Sequence, residues 1–241
     1  MLAKAACQAA HLQLTWHIRQ QAGSCRIHQT HTMQLFLTVG LPTLYAASIT
    51  TKGGQSVSEH IVHFHCGVDQ TTTEHFRDRC LEALGQGATG LLLNLSTAGG
   101  STALGFTIYN FLKSLKVPIR ALNSGNIESM GIVIYLAAQE RIVCPHSRFL
   151  IHPMSWYFNQ SSVDHSRMRE YLRSLDNDLQ RYVNIYQNET EGAASPLDIG
   201  RCLSSEEKVI RAEDSMACGI AHRMEQLQFD EDAVHWTVSA S

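Results

Sequence analysis

The sequence predicts a layered α/β fold, and three features of the chain from Glu59 onward support that prediction. Short apolar runs alternate with segments of helical period, which is typical of strand-helix-strand units. One run, Leu91–Leu95, is apolar almost throughout, as expected of a strand buried on both faces of a parallel sheet. Three successive crossovers of this kind indicate right-handed connections and a sheet covered by helices.

Each element is predicted from its own apolar pattern. Strands are predicted at residues 61–64, 91–95, 119–122 and 149–151. Helices are predicted at residues 71–84, from Leu104 to Leu115, and at 129–138, 163–189 and 205–218. Pro118 ends the second of these helices, and Gly219 is predicted to cap the C-terminus of the last one.

The N-terminal quarter of the chain lacks the apolar periodicity of the rest. Residues 1–58 show no sustained period and end in a polar, glycine-bearing stretch, so they are predicted to be a poorly ordered extension, or Met33 is the true start. The main domain is predicted at 59–226 and a C-terminal tail at 227–241. Residues 33–48 resemble a signal-peptide core, but Lys and Arg are missing just before them and Pro42 interrupts them, so a cytoplasmic location is expected.

Composition narrows the range of partners. A net charge of −3, without a basic stripe, gives no reason to expect a nucleic acid partner. No run reaches the roughly 18 apolar residues of a membrane helix, so no membrane association is expected. The 7 scattered cysteines indicate reduced thiols. His63 and His65 share one face of a predicted strand, but nothing completes a set of four ligands, so neither metal nor cofactor is expected.

The helix predicted at 163–189 carries a single apolar stripe with successive spacings of four, three, four, three and four residues. The stripe consists of Met168, Leu172, Leu175, Leu179, Tyr182 and Tyr186, and charged residues occupy the rest of the surface. Two interpretations stay open. The stripe can lie on the chain's own sheet, or it can meet a second copy, because this spacing suits partner helices that interdigitate.

Three positions at strand ends could carry chemistry. Gly99–Ser101 lies between a strand and a helix, where backbone N–H groups could bind an oxyanion, although a tight turn needs glycine for its backbone angles alone. Ser129 lies at another such junction and is a candidate nucleophile or an ordinary N-cap. His152 follows a strand and is a candidate base or a structural histidine.

Taken together and in this order, the three positions resemble the Clp protease proteolytic-subunit (ClpP) family. Residues 93–101 (LNLSTAGGS) are similar to that family's strand ending in a Ser-Pro-Gly-Gly turn, with Ala98 in place of the proline. Residues 128–131 (ESMG) resemble its Ala-Ser-Met-Gly nucleophile turn, and 144–153 (CPHSRFLIHP) its segment ending in Met-Ile-His. The resemblance extends from Ile61 to Met224 and includes the long helix, at the place of the family's handle.

The resemblance implies a ClpP/crotonase-like layered fold of repeated β-β-α units with a protruding handle helix. It also implies a serine endopeptidase that cleaves polypeptides inside stacked, usually seven-membered homo-oligomeric rings and is served by a Clp-type ATPase unfoldase. By position, Ser129 would be the nucleophile and His152 the base, while the Gly100 and Met130 amides would form the oxyanion hole.

The third member of the triad departs from the family's pattern. Alignment back from Cys218-Gly219-Ile220 puts Glu207 where the family has its aspartate, whereas an alternative alignment puts Gly200 there and leaves no acid. A glutamate can orient imidazole through the same hydrogen bond. Glu128, directly before the serine, could raise the pKa of His152 if it points inward, or it could face solvent.

Three other functions stay open at this stage. A non-catalytic ring subunit is compatible with the uncertain acid at position 207, although such a subunit needs neither Ser129 nor His152. A crotonase-like acyl-CoA enzyme would use a related fold with two backbone amides at a thioester oxygen. A membrane-associated signal-peptide peptidase would need a Ser-Lys dyad, for which Lys208 is the nearby candidate.

Overall fold

A largely parallel β-sheet organises the chain in a computed structural model that describes residues 58–155 and 162–239. The predicted N-terminal extension, apart from Ser58, lies outside the described residues. The strands are β1 (Glu59–Phe64), β2 (Gly90–Thr97), β3 (Ile119–Glu128), β4 (Glu140–Val143), β5 (Arg148–Ile151), β6 (Lys208–Arg211), β7 (Arg223–Met224) and β8 (His235–Val238). The helices are α1 (Gln70–Gly85), α2 (Thr102–Ser114), α3 (Met130–Leu136), α4 (His165–Glu189), α5 (Ile199–Ser204) and α6 (Ala212–Ser215).

The sheet runs in the order β6-β5-β3-β2-β1-β8. Strand β3 pairs in parallel with β2 on one side, and on the other with β4 along its first half and β5 along its second half. Strand β7 extends the sheet beyond β4, and β6 pairs antiparallel with β5. The mixed α/β fold predicted from the sequence is therefore confirmed.

The position of strand β2 in the sheet explains why its sequence is apolar almost throughout. Leu91, Leu93 and Leu95 are fully buried in the main core, which they share with residues of the helices. Leu92 points to the opposite face, where it belongs to a smaller cluster with Ile61 and Ile142 that the C-terminal segment covers. Burial on both faces removes the alternation that a one-sided strand would show.

Most predicted elements are confirmed within a few residues of their ends. Strand β3 continues well beyond its predicted end at Leu122 and reaches Glu128, while α3 ends at Leu136, two residues before its predicted end. Helix α1 begins with a capping box, because the Asp69 side chain accepts from the Thr72 amide at 2.9 Å while the Thr72 hydroxyl accepts from the Asp69 amide at 3.0 Å.

The helix predicted at residues 205–218 is wrong. Residues 208–211 form β6 and pair with β5, and only the four residues of α6 are helical. The open edge of β5 supplies a ladder for this segment, and such tertiary pairing overrides a weak local helical pattern. Gly219 nevertheless ends the following turn at φ 72°, with its amide 3.0 Å from the Met216 carbonyl.

Several elements were not predicted from the sequence. They are β4, α5 and the edge strands β7 and β8. Strand β8 lies in the segment predicted to be a tail, where it pairs in parallel with β1. Among the described residues, no helix is both long enough and apolar enough to span a membrane.

Helix α4 divides its apolar stripe between two environments. Tyr182 and Tyr186, near its C-terminal end, are buried in the main core. Leu172 is 54% exposed and Met168 is 40% exposed on the N-terminal half. Both interpretations of the stripe therefore have a physical basis, one in each half of the helix.

Candidate active site

Ser129 occupies the sharp turn between β3 and α3. Its backbone has φ 51° and ψ −125°, a conformation that residues other than glycine adopt at a cost of about 1–3 kcal/mol. The Ser129 amide donates to the Leu150 carbonyl at 2.8 Å, which ties the turn to β5. Although Ser129 stands at the N-cap position of α3, its side chain makes no capping hydrogen bond. Its hydroxyl is therefore not used as the ordinary N-cap that the sequence left open.

The Gly99–Gly100 turn packs closely against the Ser129 turn. A Cβ atom added to Gly99 would lie 2.7 Å from the Glu128 carbonyl oxygen and 2.8 Å from the Ser129 Cβ. One added to Gly100 would lie 2.3 Å from the Val68 carbonyl oxygen. Both glycines have positive φ, 78° and 149°. A side chain at Gly99 would collide with the Ser129 turn, and one at Gly100 would collide with the Val68 backbone.

Among residues 58–155 and 162–239, the backbone amides of Gly100 and Met130 near Ser129 donate to no backbone acceptor. Met130 is the first residue of α3, so its amide has no acceptor inside the helix. The loop that holds Gly100 is fixed by its neighbours, since the Val68 amide donates to Gly99 and the Ser101 amide donates to Val68, each at 2.8 Å. Amides of this kind can stabilise developing negative charge on a carbonyl oxygen.

His152 follows directly after β5, and one of its ring nitrogens has a defined role. Its Nδ1 lies 2.9 Å from the Pro153 carbonyl oxygen. A carbonyl oxygen can only accept, so Nδ1 carries the proton in this hydrogen bond. In the neutral ring, Nε2 then has its lone pair available, which is the tautomer that a base acting on a hydroxyl needs.

A cavity of about 510 Å³ brings these groups together. Ser129 and His152 line it along with Gly100 and Met130. The remaining lining residues are Ala98, Ser101, Thr102, Met154, Ser155, Tyr182 and Leu203. Residues that lie far apart in the sequence thus meet at the carboxyl ends of β2, β3 and β5, which is where parallel sheets place their binding sites.

Glu207 lies outside the lining of this cavity. It is exposed and directly precedes β6, whose antiparallel register pairs Lys208 with Ile151. Continuing that register by one residue puts Glu207 opposite His152. Its neighbour Glu206 is engaged elsewhere, 2.5 Å from Arg201. Gly200, the alternative alignment position, lies within α5.

The carboxylate of Glu128, directly before Ser129, forms an ion pair. Glu128 Oε1 accepts from the Arg148 guanidinium at 2.7 Å, across the β3–β5 pair. This ion pair balances the charge of Glu128 and directs it toward Arg148.

His63 of β1 takes part in a hydrogen-bond chain. His63 Nδ1 lies 2.9 Å from the Asn94 amide nitrogen, and His63 Nε2 lies 2.8 Å from His235 Nδ1 on β8. Within residues 58–155 and 162–239, no group of three or more His, Cys, Asp or Glu side chains is arranged to hold a metal ion.

Tyr182 is one of several cavity residues that were not assigned to the site from the sequence. Tyr182 of α4 is 1% exposed, and its hydroxyl donates to the Ser129 carbonyl at 3.1 Å. Its place in the apolar stripe predicts burial but not a partner 53 residues away in the chain. Met154 and Leu203 also line the cavity, and the Met154 amide donates to the Leu203 carbonyl at 2.9 Å.

Comparison with known proteins shows the family and the fold of the chain. The model of the Clp protease family matches residues 48–226, well over half of the 241 residues. A solved structure of a point mutant of ClpP1 from Listeria monocytogenes is similar with a TM-score of 0.61 and 18% identity. ClpP1 from the same organism, without that mutation, is similar with a TM-score of 0.57 and 20% identity. In both cases the match covers 70% of this chain and 92% of the other. The chain belongs to the Clp protease family.

Proposed function

We propose that the chain is a serine endopeptidase in which Ser129 is the nucleophile and His152 is the general base. The observation that carries this proposal is the strained Ser129 turn, whose uncapped side chain shares one cavity with a histidine that holds its proton on Nδ1. A structural serine or histidine gives no reason for that combination, whereas backbone strain is common where a reactive group must be held exposed.

In the proposed reaction, His152 Nε2 takes the hydroxyl proton of Ser129 while the oxygen attacks the carbonyl carbon of a peptide bond. The Gly100 and Met130 amides hold the resulting oxyanion, and each such donor contributes about 3 kcal/mol of transition-state stabilisation. The protonated imidazole then gives its proton to the leaving amine, which leaves an acyl-enzyme on Ser129. Water, activated by the same imidazole, releases the acid product.

Glu207 is the proposed third member of the triad. The support for this role is the β5–β6 register, which brings it level with His152. The Pro153 carbonyl already holds the Nδ1 proton, so the contribution proposed for Glu207 is its negative charge, which would stabilise the imidazolium that forms during attack. Its exposed position means that water would screen part of this effect.

We further propose that the active form is a homo-oligomer of stacked, seven-membered rings and that its substrates are unfolded polypeptides delivered by a Clp-type ATPase. The support is membership of the Clp protease family and the exposed apolar residues of α4, Leu172 and Met168. Family resemblance is the sole support for the ATPase partner and for the ring count.

Hydrolysis of a fluorogenic peptide and of an unfolded protein by the purified full chain tests the proposal. Ser129→Ala and His152→Ala are expected to lower kcat by at least about 1,000-fold, because nucleophile and base act as one unit. Ser114→Ala is the matched control, since that hydroxyl lies at the exposed end of α2 and donates to the Phe111 carbonyl. A folded, oligomeric wild-type chain without hydrolysis would contradict the proposal and favour a non-catalytic ring subunit.

A further inference from the structure

The hydroxyl of Tyr182 reaches the nucleophile from an element that is remote in sequence. Tyr182 lies on α4 and donates to the Ser129 carbonyl at 3.1 Å. Burial raises the pKa of this phenol, so the group keeps its proton and remains a donor at any physiological pH. The side chain also lines the cavity with Ser129 and His152.

The Ser129 carbonyl belongs to the same peptide unit as the Met130 amide. That unit is planar and trans, so its C=O and N–H groups point in opposite directions. A donor that fixes the carbonyl on one side therefore fixes the direction of the N–H on the other. Because the Met130 amide is a proposed oxyanion donor, its aim decides how well it meets the developing charge.

Besides Tyr182, one backbone amide also donates to the Ser129 carbonyl, but that bond by itself would hold the peptide unit less firmly. The Ile132 amide donates to the same Ser129 carbonyl at 3.1 Å, as part of the first turn of α3. Helix α3 has 7 residues, and Ser129 before it has an unfavourable backbone conformation. A strained residue at the end of a short helix relaxes readily unless its surroundings hold it in place. Tyr182 supplies such a hold from a separate element.

We propose that Tyr182 is a positioning residue, which holds the Ser129 carbonyl so that the Met130 amide is aimed at the substrate oxyanion. This inference rests on the proposed function of Ser129 as nucleophile. The Tyr182 hydroxyl acts through the Ser129 carbonyl, so its effect is expected on the transition state more than on substrate binding.

Tyr186 provides a matched control one helical turn away. It is also 1% exposed, and its hydroxyl donates to the Cys218 carbonyl at 3.3 Å, away from the cavity lining. Tyr182→Phe and Tyr186→Phe each remove one buried hydroxyl and keep the aromatic ring. The two variants are therefore expected to change the melting temperature by similar amounts. A difference in activity between them then reports positioning and not stability.

The experiment compares wild type, Tyr182→Phe and Tyr186→Phe as full-length chains. Tyr182→Phe is expected to lower kcat by about tenfold or more with KM changed less than about twofold, because misaiming an oxyanion donor affects the transition state selectively. Its inhibition constant for a peptide aldehyde, which forms a hemiacetal with its oxygen in the oxyanion position, is expected to rise by the same factor. Tyr186→Phe is expected to match wild type in both measurements.

Equal kinetics for the two phenylalanine variants, in an active wild-type background, would overturn the role of Tyr182 and leave Ser129 as nucleophile. A parallel rise of KM in Tyr182→Phe would also overturn it, because that result indicates a distorted binding cavity. An inactive wild type that a fluorophosphonate probe does not label at Ser129 would contradict the proposed function and, with it, this inference.

Discussion

At the scale of single residues, the site depends on glycines that let two strand ends touch. Ser129 takes up its strained turn because β3, β5 and the Gly99–Gly100 turn hold it from three sides. The Ser129 amide is bound by the Leu150 carbonyl of β5, and its carbonyl is bound by Tyr182. Backbone strain of this kind persists only where the surroundings fix it several times over.

Gly100→Ala is expected to lower both stability and activity. Its new Cβ would lie 2.3 Å from the Val68 carbonyl, and φ of 149° is unfavourable for alanine, so the turn must shift at a cost of about 1–3 kcal/mol. Chemical denaturation and peptide hydrolysis measure the two effects. Gly85→Ala is the control, because nothing lies within 4 Å of its added Cβ. Equal stability of the two variants would contradict the described packing of the turn.

Glu207→Ala is expected to lower kcat by about 10- to 100-fold. This is less than the roughly 10⁴-fold loss in a triad whose acid alone sets the tautomer, because here the Pro153 carbonyl keeps the proton on Nδ1 of His152. Steady-state kinetics with Glu206→Ala as control measures the effect, since Glu206 pairs with Arg201 instead. An unchanged kcat in Glu207→Ala would remove this residue from the site.

The sequence could predict those site residues whose neighbours in the chain carry a pattern. Ser129 and His152 each stand at a strand end, and the motifs around them, in their order along the chain, resemble those of the ClpP family, which made both candidates for the site. Tyr182 could not be assigned in this way, because a tyrosine in an apolar helical stripe predicts burial whether or not its hydroxyl has a functional partner. The Pro153 carbonyl carries no side-chain signal at all.

At the scale of secondary-structure elements, α4 is anchored at one end and exposed at the other. Its C-terminal half packs against the core through Tyr182 and Tyr186. Near its end, Glu189 accepts from the Tyr109 hydroxyl at 2.5 Å and from Lys113 at 2.8 Å, both on α2. The N-terminal half presents Leu172 and Met168 to solvent, which is unfavourable for a helix without a partner.

Leu172→Asp is expected to break the proposed assembly without unfolding the chain. The side chain is 54% exposed, so the monomer loses little by the change, whereas a charge placed in an apolar contact between helices is costly. Native mass spectrometry and circular dichroism measure assembly and folding. Leu81→Asp on α1 is the control, because that leucine is 47% exposed and lies outside the stripe. A large assembly that survives Leu172→Asp would contradict the role of α4.

The predictability of an element follows from how much of its environment is local. Strand β2 was predictable because burial on both faces makes its own sequence apolar. Strand β6 was not, because only Ile210 is buried in it and its pairing depends on the edge of β5. The pairing of β8 with β1 joins segments more than 170 residues apart, which no window of sequence can detect.

At the scale of the whole molecule, a histidine pair joins the first described strand to the last. His63 on β1 contacts His235 on β8 at 2.8 Å and stacks on it with ring centroids 5.1 Å apart. Burial lowers the pKa of His63, and the nearby His235 and His65 lower it further. The fold therefore favours the neutral form of His63 in this contact between β1 and β8.

The free energy of unfolding is expected to decrease as pH falls below 6.5, the ordinary pKa of histidine. Below that value the unfolded chain binds a proton at His63 more readily than the folded chain does, so the stability present above pH 6.5 is lost as pH falls toward the folded pKa. Denaturation at several pH values between about 5 and 8 measures the slope.

His63→Gln is expected to flatten this slope, and His165→Gln is the control because it removes an exposed imidazole at the start of α4. An unchanged slope in His63→Gln would contradict the assignment of the pH dependence to this pair.

Labelling with a fluorophosphonate probe, followed by peptide mass mapping of the purified full-length chain, tests the identity of the nucleophile directly. The probe reacts only with a serine that a base activates. We expect a single adduct on Ser129 that disappears in His152→Ala while the variant remains folded. An adduct on a different serine, or none on a folded and assembled wild-type chain, would contradict the assignment of Ser129 as the nucleophile of a serine peptidase.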